Sequence, residues 1–406
     1  MACRFCESEI EIVNNFGEMP IANGFYSTKD QDKYRFNLKT AFCKSCKLFQ
    51  ITDQPVKELM FHQDYPFFTG LSNSMSKHFH EMVMNTIKVF SEVKKPAFIV
   101  EIGCNDGTLL QKVKQLEIKH LGIDPSANVI SRAVHSGINA EVDFFDYNKA
   151  VQIKQRFGSA DIIFAANVIC HLPNVRDLAK GIKELLSPDG IFVFEEPYLG
   201  SMLEKTSFDQ IYDEHVYIFS LNSVKNVFES VGLELFDALL QETHGGSMRY
   251  FIANKDTRHI TNKLESMLDT EGADGFNSID VYREFDKKCL LKKDSLFSLL
   301  TELKANGKLV GGYAATSKST TLLNYCNIDS SLVSFICDST PEKIGKYSPG
   351  SNIPIISTEA MRVTPPDFLL LFGWNHEKEI MQKESNNLNQ NVKWIKYVPE
   401  VEVVKF

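Results

Sequence analysis

The 406-residue sequence has no apolar run of the ~18 residues that a membrane span needs. It has no short-period repeat, no low-complexity tract and no surplus of basic residues: the net charge is −8. The first absence excludes a helical membrane span. The last argues against nucleic acid as the main partner, although a local basic groove can hide within an acidic total. The opening MACRFCESEI lacks the basic-then-apolar layout of a secretory leader, so a cytoplasmic address with reduced thiols is expected. What remains is an ordinary globular composition, 43% hydrophobic and 24% charged, at a length that favours two or three domains.

Nine cysteines are unevenly spread. Cys3, Cys6, Cys43 and Cys46 make two CxxC pairs, each able to fill two adjacent corners of a tetrahedral Zn²⁺ through a tight turn. Four thiolates leave no position for water, so the expected metal is structural. Cys104, Cys170, Cys289, Cys326 and Cys337 are isolated and are read as small buried apolar residues.

Beyond residue 70, apolar residues from Met75 to Phe90 recur at helical spacing. From Ala97 strand and helix patterns alternate: AFIVEIG, GTLLQKVKQL, HLGID, SANVISRAVHSG, DIIFAANVI, VRDLAKGIKELL, GIFVFEEP, then LELFDALL and MRYFIA. Such alternation predicts a parallel sheet covered on both faces. Residues 255–280 are polar and read as a linker. A long helix and a second α/β series follow, with KLVGGYAA, LVSFICD, NIPIIS, DFLLLFGW and VKWIKYV as strands. The predicted fold class is α/β: a small zinc-binding domain (1–70), a doubly wound sheet with a leading helix (71–254), and a second Rossmann-like domain (281–406).

The sequence also lacks a complete G-x-G-x-x-G. In VEIGCNDGTLL, Asn105 stands where the second glycine would be, so a pyrophosphate fits poorly. Glu101 before Gly103 and Gly107 suits S-adenosylmethionine instead, which carries an ammonium and a sulfonium but no phosphate. Asp124 ends the next strand, where a carboxylate accepts ribose hydroxyls. Phe144, at the end of the third strand, is placed to flank adenine.

QIYDEHVYIFS (210–220) follows the fifth strand of this sheet and crowds Tyr212, Glu214 and His215 into an apolar context. Ligands of open α/β sheets sit beyond the carboxyl ends of the strands. Residues 195–220 should therefore roof the methyl group, with Glu196 on the substrate side. Asn167 and His171 in ANVICHL project from the fourth strand end: Asn167 toward the cofactor, His171 toward the same site as His215.

These motifs, in order over essentially the whole chain, resemble the S-adenosylmethionine-dependent sugar C-methyltransferases that act on nucleotide-linked 4-keto-deoxy sugars. CRFC, FGEMPIANGF and CKSCKLFQI resemble that family's zinc-binding domain. VEIGCNDGTLL, ADIIFAANVICHLPNV, FDQIYDEHVYIFS and THGGSMR resemble its methyltransferase domain. GYAATSKSTTLLNYC, CDSTPEKIGKYSPGSNIPI and FGWNHEKEI resemble its C-terminal domain. The resemblance implies that His215 removes the proton beside the 4-keto group and that the enolate attacks the methyl group. It further implies that Tyr212 and Glu214 hold the sugar or support the histidine, and that His171 steadies the enolate. Histidine suits the task because its ordinary pKa is near neutral.

The partner so implied is a nucleotide-diphosphate sugar. The loop that opens the C-terminal helix, with Ser317 and Lys318, is expected to cradle the diphosphate, and Asp338 to read a ribose. Arg249 is expected either to clamp phosphate or to form an internal ion pair. Tyr65 keeps a family position. Departures at Phe67, Asp213 and the 314–320 loop fall on the substrate side and leave the acceptor atom open. Competing readings are methylation on oxygen or nitrogen, an RNA methyltransferase gripping through the zinc module, an enolate-forming epimerase, and a decayed scaffold. A monomer is expected.

Overall fold

The alternation that starts at residue 97 folds as read, in a computed structural model that describes residues 1–29, 34–56, 60, 68–388 and 391–405. Among these residues the strands form three sheets. In the N-terminal module β1 (Glu11–Met19), β2 (Phe36–Phe42) and β3 (Phe49–Ile51) pair antiparallel. The next sheet contains β4 (Phe98–Ile102), β5 (Lys119–Asp124), β6 (Ala140–Val142), β7 (Ala160–Ala166) and β8 (Leu186–Pro197). A short strand, β9 (Tyr217–Ile218), leaves it before β10 (Leu233–Gln241) and β11 (Ser247–Asn254) complete it. Its order is β10-β11-β8-β7-β4-β5-β6. The central β4 is buried at every position, as a parallel strand covered on both faces must be.

The C-terminal sheet takes β12 (Val310–Tyr313), β13 (Ile336–Asp338), β14 (Ile355–Ser357), β15 (Phe368–Leu371), β16 (Lys393–Lys396) and β17 (Glu402–Val404), in the order β14-β13-β12-β15-β16-β17. Counted within its own domain, each α/β sheet runs 3-2-1-4-5, with the switch in direction beside its first strand.

Two features depart from the predicted boundaries. First, β9 pairs with β3, so the sheet of the N-terminal module takes its last strand from residues 217–218, just after His215. Second, the polar stretch expected to link the domains contains a helix, Asn262–Ala273. It packs on the methyltransferase-type sheet and buries Glu271. That carboxylate accepts from the backbone N–H groups of Leu221 and Asn222 and from the Tyr198 hydroxyl. The polarity of the stretch is that of an exposed outer face plus one capping carboxylate. The leading helix spans Asn73–Ser91, and the long helix Ile279–Ala305. The five isolated cysteines are free and buried.

Candidate active site

The sulfurs of Cys3, Cys6, Cys43 and Cys46 lie within 4.8 Å of one another. Contact with the Cys46 thiol draws Cys3 down to about 4, so a thiolate is at hand for a cation. The donor set fits zinc: four sulfurs in two knuckle turns, with no carboxylate among them.

The turn after β4 is tight and acidic. Gly103 (φ +70°) and Gly107 (φ +78°) both adopt left-handed backbone. A Cβ at Gly103 would come within 2.1 Å of Val168, so the turn and the segment after β7 press directly together. Asn105 builds the turn: its Oδ1 accepts from the N–H groups of Thr69 and Asp106. Asp124 accepts from the Asn105 and Ser126 backbone. Glu101 is buried, and its Oε2 has no hydrogen-bond partner among the described residues. Burial first, and then the neighbouring Asp124 and Asp106, push its carboxyl well above the ordinary range. An unpartnered buried carboxylate between two others suits a cationic ligand, and S-adenosylmethionine is one. Phe144 stands half-buried just beyond β6.

His215 is buried at the end of the stretch 210–215. Its Nδ1 lies 2.7 Å from the Gln210 carbonyl, which can only accept, so Nδ1 carries the proton. Nε2 therefore presents a lone pair, and the Tyr212 hydroxyl donates to it at 2.8 Å. The His171 ring stacks on His215 with centroids 5.4 Å apart. Burial lowers His171 to about 4. Burial and then the charges of His171 and Lys318 hold His215 well below its usual value. Both imidazoles are neutral at physiological pH. Glu214 is buried, pushed up to about 7 by burial, and accepts from the Asn23 amide at 2.7 Å.

Glu196 is fully buried. Its Oε1 accepts from the N–H groups of Val168, Ile169 and Cys170, which fastens the segment that carries His171. Through this oxygen Glu196 holds that segment in place. Asn167, in left-handed backbone, contacts the His244 ring at 3.2 Å.

Of the two readings of Arg249, the structure has the internal ion pair. Arg249 is 3% exposed and meets Glu195 through Nε and an Nη at 3.0 and 2.9 Å. His78 of the leading helix and Thr243 complete the coordination of Glu195. A phosphate clamp at Arg249 is corrected on this ground: burial and pairing leave the guanidinium closed to a ligand.

In the C-terminal domain the Ser317 hydroxyl donates to Asn23, so that residue is engaged within the protein. Asp338 accepts from the backbone of Ala315 and Thr340. Lys318 lies over the Trp374 ring, 4.7 Å from its centroid, with a long 3.4 Å contact to Asn375 and no carboxylate in ion-pair range among the described residues. Its charge lowers His215, His244 and His376, so it lies near the segment that carries His215. Tyr65 and Phe67 lie outside the described residues.

Sequence reading missed several residues of this region. His244 sits in THGGSMR beside two glycines, and a Cβ at Gly245 would strike Trp374 at 2.1 Å, so the glycine admits the indole. Asp209 accepts from the Trp374 indole N–H and the Tyr397 hydroxyl, joining the two α/β domains. Asn23 is the third. The signal for His244 and Trp374 was present, since both fall in quoted blocks. Asp209 and Asn23 fall in such blocks too; which of these residues meet in space had no local signal.

An open sheet with a tight acidic turn after its first strand, covered by the segment that carries His215, is an arrangement that fits a methyltransferase. Family models match along the chain in order: a zinc binding domain over residues 3–61, a methyltransferase domain over 76–238 and a C-methyltransferase C-terminal domain over 242–399. C-methyltransferase NovU of Streptomyces niveus is 30% identical over 407 aligned residues, spanning 99% of this chain and 96% of its own. The chain belongs to this family of C-methyltransferases. Among solved structures, a SAM-dependent methyltransferase of Anabaena variabilis is 18% identical, with 43% of this chain and 84% of its own covered at a TM-score of 0.35. The N-methyltransferase NodS of Bradyrhizobium japonicum is 16% identical, with 44% and 97% covered at 0.33. No described helix is long and apolar enough to cross a membrane.

Proposed function

We propose that the chain methylates the carbon next to the 4-keto group of a nucleotide-linked deoxysugar, with His215 as the base. The observation that carries this reading is the tautomer of His215: the Gln210 carbonyl holds the proton on Nδ1 and leaves the Nε2 lone pair for a substrate proton. The sugar's acidic C–H takes the place of the Tyr212 hydroxyl at Nε2, and the freed phenol turns to the substrate oxygen. His171, kept neutral by burial, offers a hydrogen bond to the developing enolate. Lys318 supplies the fixed positive charge that an anionic substrate needs, and residues 281–406 hold the nucleotide. S-adenosylmethionine, when bound at Glu101, Gly103, Gly107 and Asp124, supplies the electrophilic methyl group. The free thiols support a reducing, cytoplasmic setting.

The test is incubation with S-adenosylmethionine and a panel of nucleotide 4-keto-deoxyhexoses, with product analysis by mass and carbon NMR. A new carbon–methyl bond is expected. In heavy water with S-adenosylhomocysteine, the proton at C3 should exchange, and His215→Ala should abolish that exchange while retaining cofactor binding. Methyl transfer to oxygen or nitrogen, or undiminished exchange in the variant, would remove this reading.

A further inference from the structure

The loop after β1 in the N-terminal module, residues 20–26, supplies no metal ligand, yet it is tied to both other domains. Toward the base segment, the Ala22 N–H donates to Asp213 at 3.0 Å and the Asn23 amide donates to Glu214 at 2.7 Å. Toward the C-terminal domain, the Ala22 carbonyl accepts from Thr320 at 2.8 Å, and Asn23 Oδ1 accepts from the Ser317 hydroxyl at 2.9 Å. Thr321 donates to the Ile211 carbonyl, and Tyr26 bridges to Tyr347. Ala22 through its backbone and Asn23 through its side chain each join all three domains. The Asn23 amide offers a donor and an acceptor on one rigid plane, matched to a carboxylate on one side and a hydroxyl on the other. No other side chain of that size does this without charge: aspartate would set a second carboxylate against Glu214, and leucine would leave both partners unmet.

The consequence reaches the base. Glu214 precedes His215, and the Ile51 N–H bonds to the Val216 carbonyl, so the zinc module grips the chain on both sides of the imidazole. We propose that Asn23 is a positioning residue for methyl transfer, keeping the Glu214–His215 segment in register with the helix Ser317–Tyr325 of the C-terminal domain. This rests on the reading of His215 as the base. The groups that share the environment of Glu214 are Asp213, Cys170 and His215, and the Asn23 hydrogen bond favours its charged form. Removing that bond raises Glu214 further, so any ionisation of Glu214 needed for turnover moves to higher pH.

The experiment compares the zinc-loaded parent protein with Asn23→Ala and Ser317→Ala. Asn23→Ala should lower kcat by about 10- to 100-fold, the worth of a hydrogen bond to a charged group. KM for S-adenosylmethionine and zinc content should match the parent, and the acid limb of the kcat profile should move to higher pH. Ser317→Ala, which leaves the zinc module untouched, should give the same shift in smaller measure, and the double variant should be no worse than Asn23→Ala. Parental kcat and pH profile in both single variants overturns the proposal, as does a loss of activity that tracks zinc loss with an unmoved acid limb. If the parent methylates no sugar of the panel, the functional reading fails instead. The link is then judged by amide exchange: residues 211–216 should exchange faster in Asn23→Ala, and an unchanged pattern overturns it.

Discussion

The two α/β sheets of this chain share one device and differ in its sign. In each, an aspartate ends the second strand and accepts from the turn after the first: Asp124 from Asn105 at 3.1 Å, Asp338 from Ala315 at 2.7 Å. Each also accepts from the backbone two residues on, Ser126 at 2.9 Å and Thr340 at 2.8 Å. Around the first turn gather Glu101, Asp106 and Asp124. At the second stand Lys318 and Lys343, the latter donating to the Ala315 carbonyl. Burial lowers both lysines from their ordinary value. The lesson is that one scaffold carries acidic or basic side chains at its switch point, while the backbone that shapes the turn stays the same.

The zinc module joins the two halves, so its removal is the hardest blow to this arrangement. Chelation, or Cys43→Ser, should unfold the sheet that includes β9, because structural zinc contributes apparent free energies of about 10–16 kcal/mol. Turnover should vanish and return with Zn²⁺, while S-adenosylmethionine, measured by calorimetry, still binds the turn within the middle sheet. Retained turnover in metal-free protein would mean that the two turns align without the joint.

Arg249 separates a structural charge from a ligand-binding one. Arg249→Ala strands Glu195 in the interior and should cost about 3–5 kcal/mol in denaturant unfolding, for a buried pair broken on one side. An unaltered midpoint with a raised KM for the sugar nucleotide would restore the phosphate clamp.

The opposed signs of the two turns can be tested directly. Glu101→Gln should weaken S-adenosylmethionine by about 2–3 kcal/mol and leave the sugar nucleotide alone, and Lys318→Ala should do the reverse, each being the loss of a charged contact. Crossed effects in equilibrium binding would show that the ligands do not divide between the sheets as proposed.

The smallest effect is on acid stability. Burial alone would raise Glu195, but the hydrogen bond from His78 and the charge of Arg249 bring it to about 2. Its folded value thus lies below its unfolded one, so its contribution is complete above the ordinary carboxylate range and is lost as pH falls toward 2. By linkage, about 1–2 kcal/mol should be gone by about pH 3. Glu384, paired with Arg362 between two helices of the C-terminal domain, is also lowered and should add to the loss. Thermal melts of Glu195→Gln should show a shallower acid decline, and an unaltered slope would deny the pairing its role.

Much of this molecule was legible from residue 97 onward, because strand and helix periods are written in neighbouring residues and β4 to β8 need nothing distant to announce themselves. The turn at Glu101 was legible for the same reason. The helix Asn262–Ala273 was not, since its one buried carboxylate, Glu271, looks from the sequence like another exposed charge. His215 was legible as a candidate, but the tautomer that puts its lone pair on Nε2, where the Tyr212 hydroxyl donates, depends on where the Gln210 carbonyl turns in space.

By itself the sequence determined the order of elements, the four sulfur ligands and the acidic glycine turn, for these depend on spacings of a few residues. Which buried charges pair was settled by the packing in space. It set Arg249 on Glu195, carried Lys318 onto Trp374, and wove residues 217–218 into the zinc sheet. The reason is that a buried charge takes the partner the packing brings to it, and packing brings together residues that the chain keeps far apart.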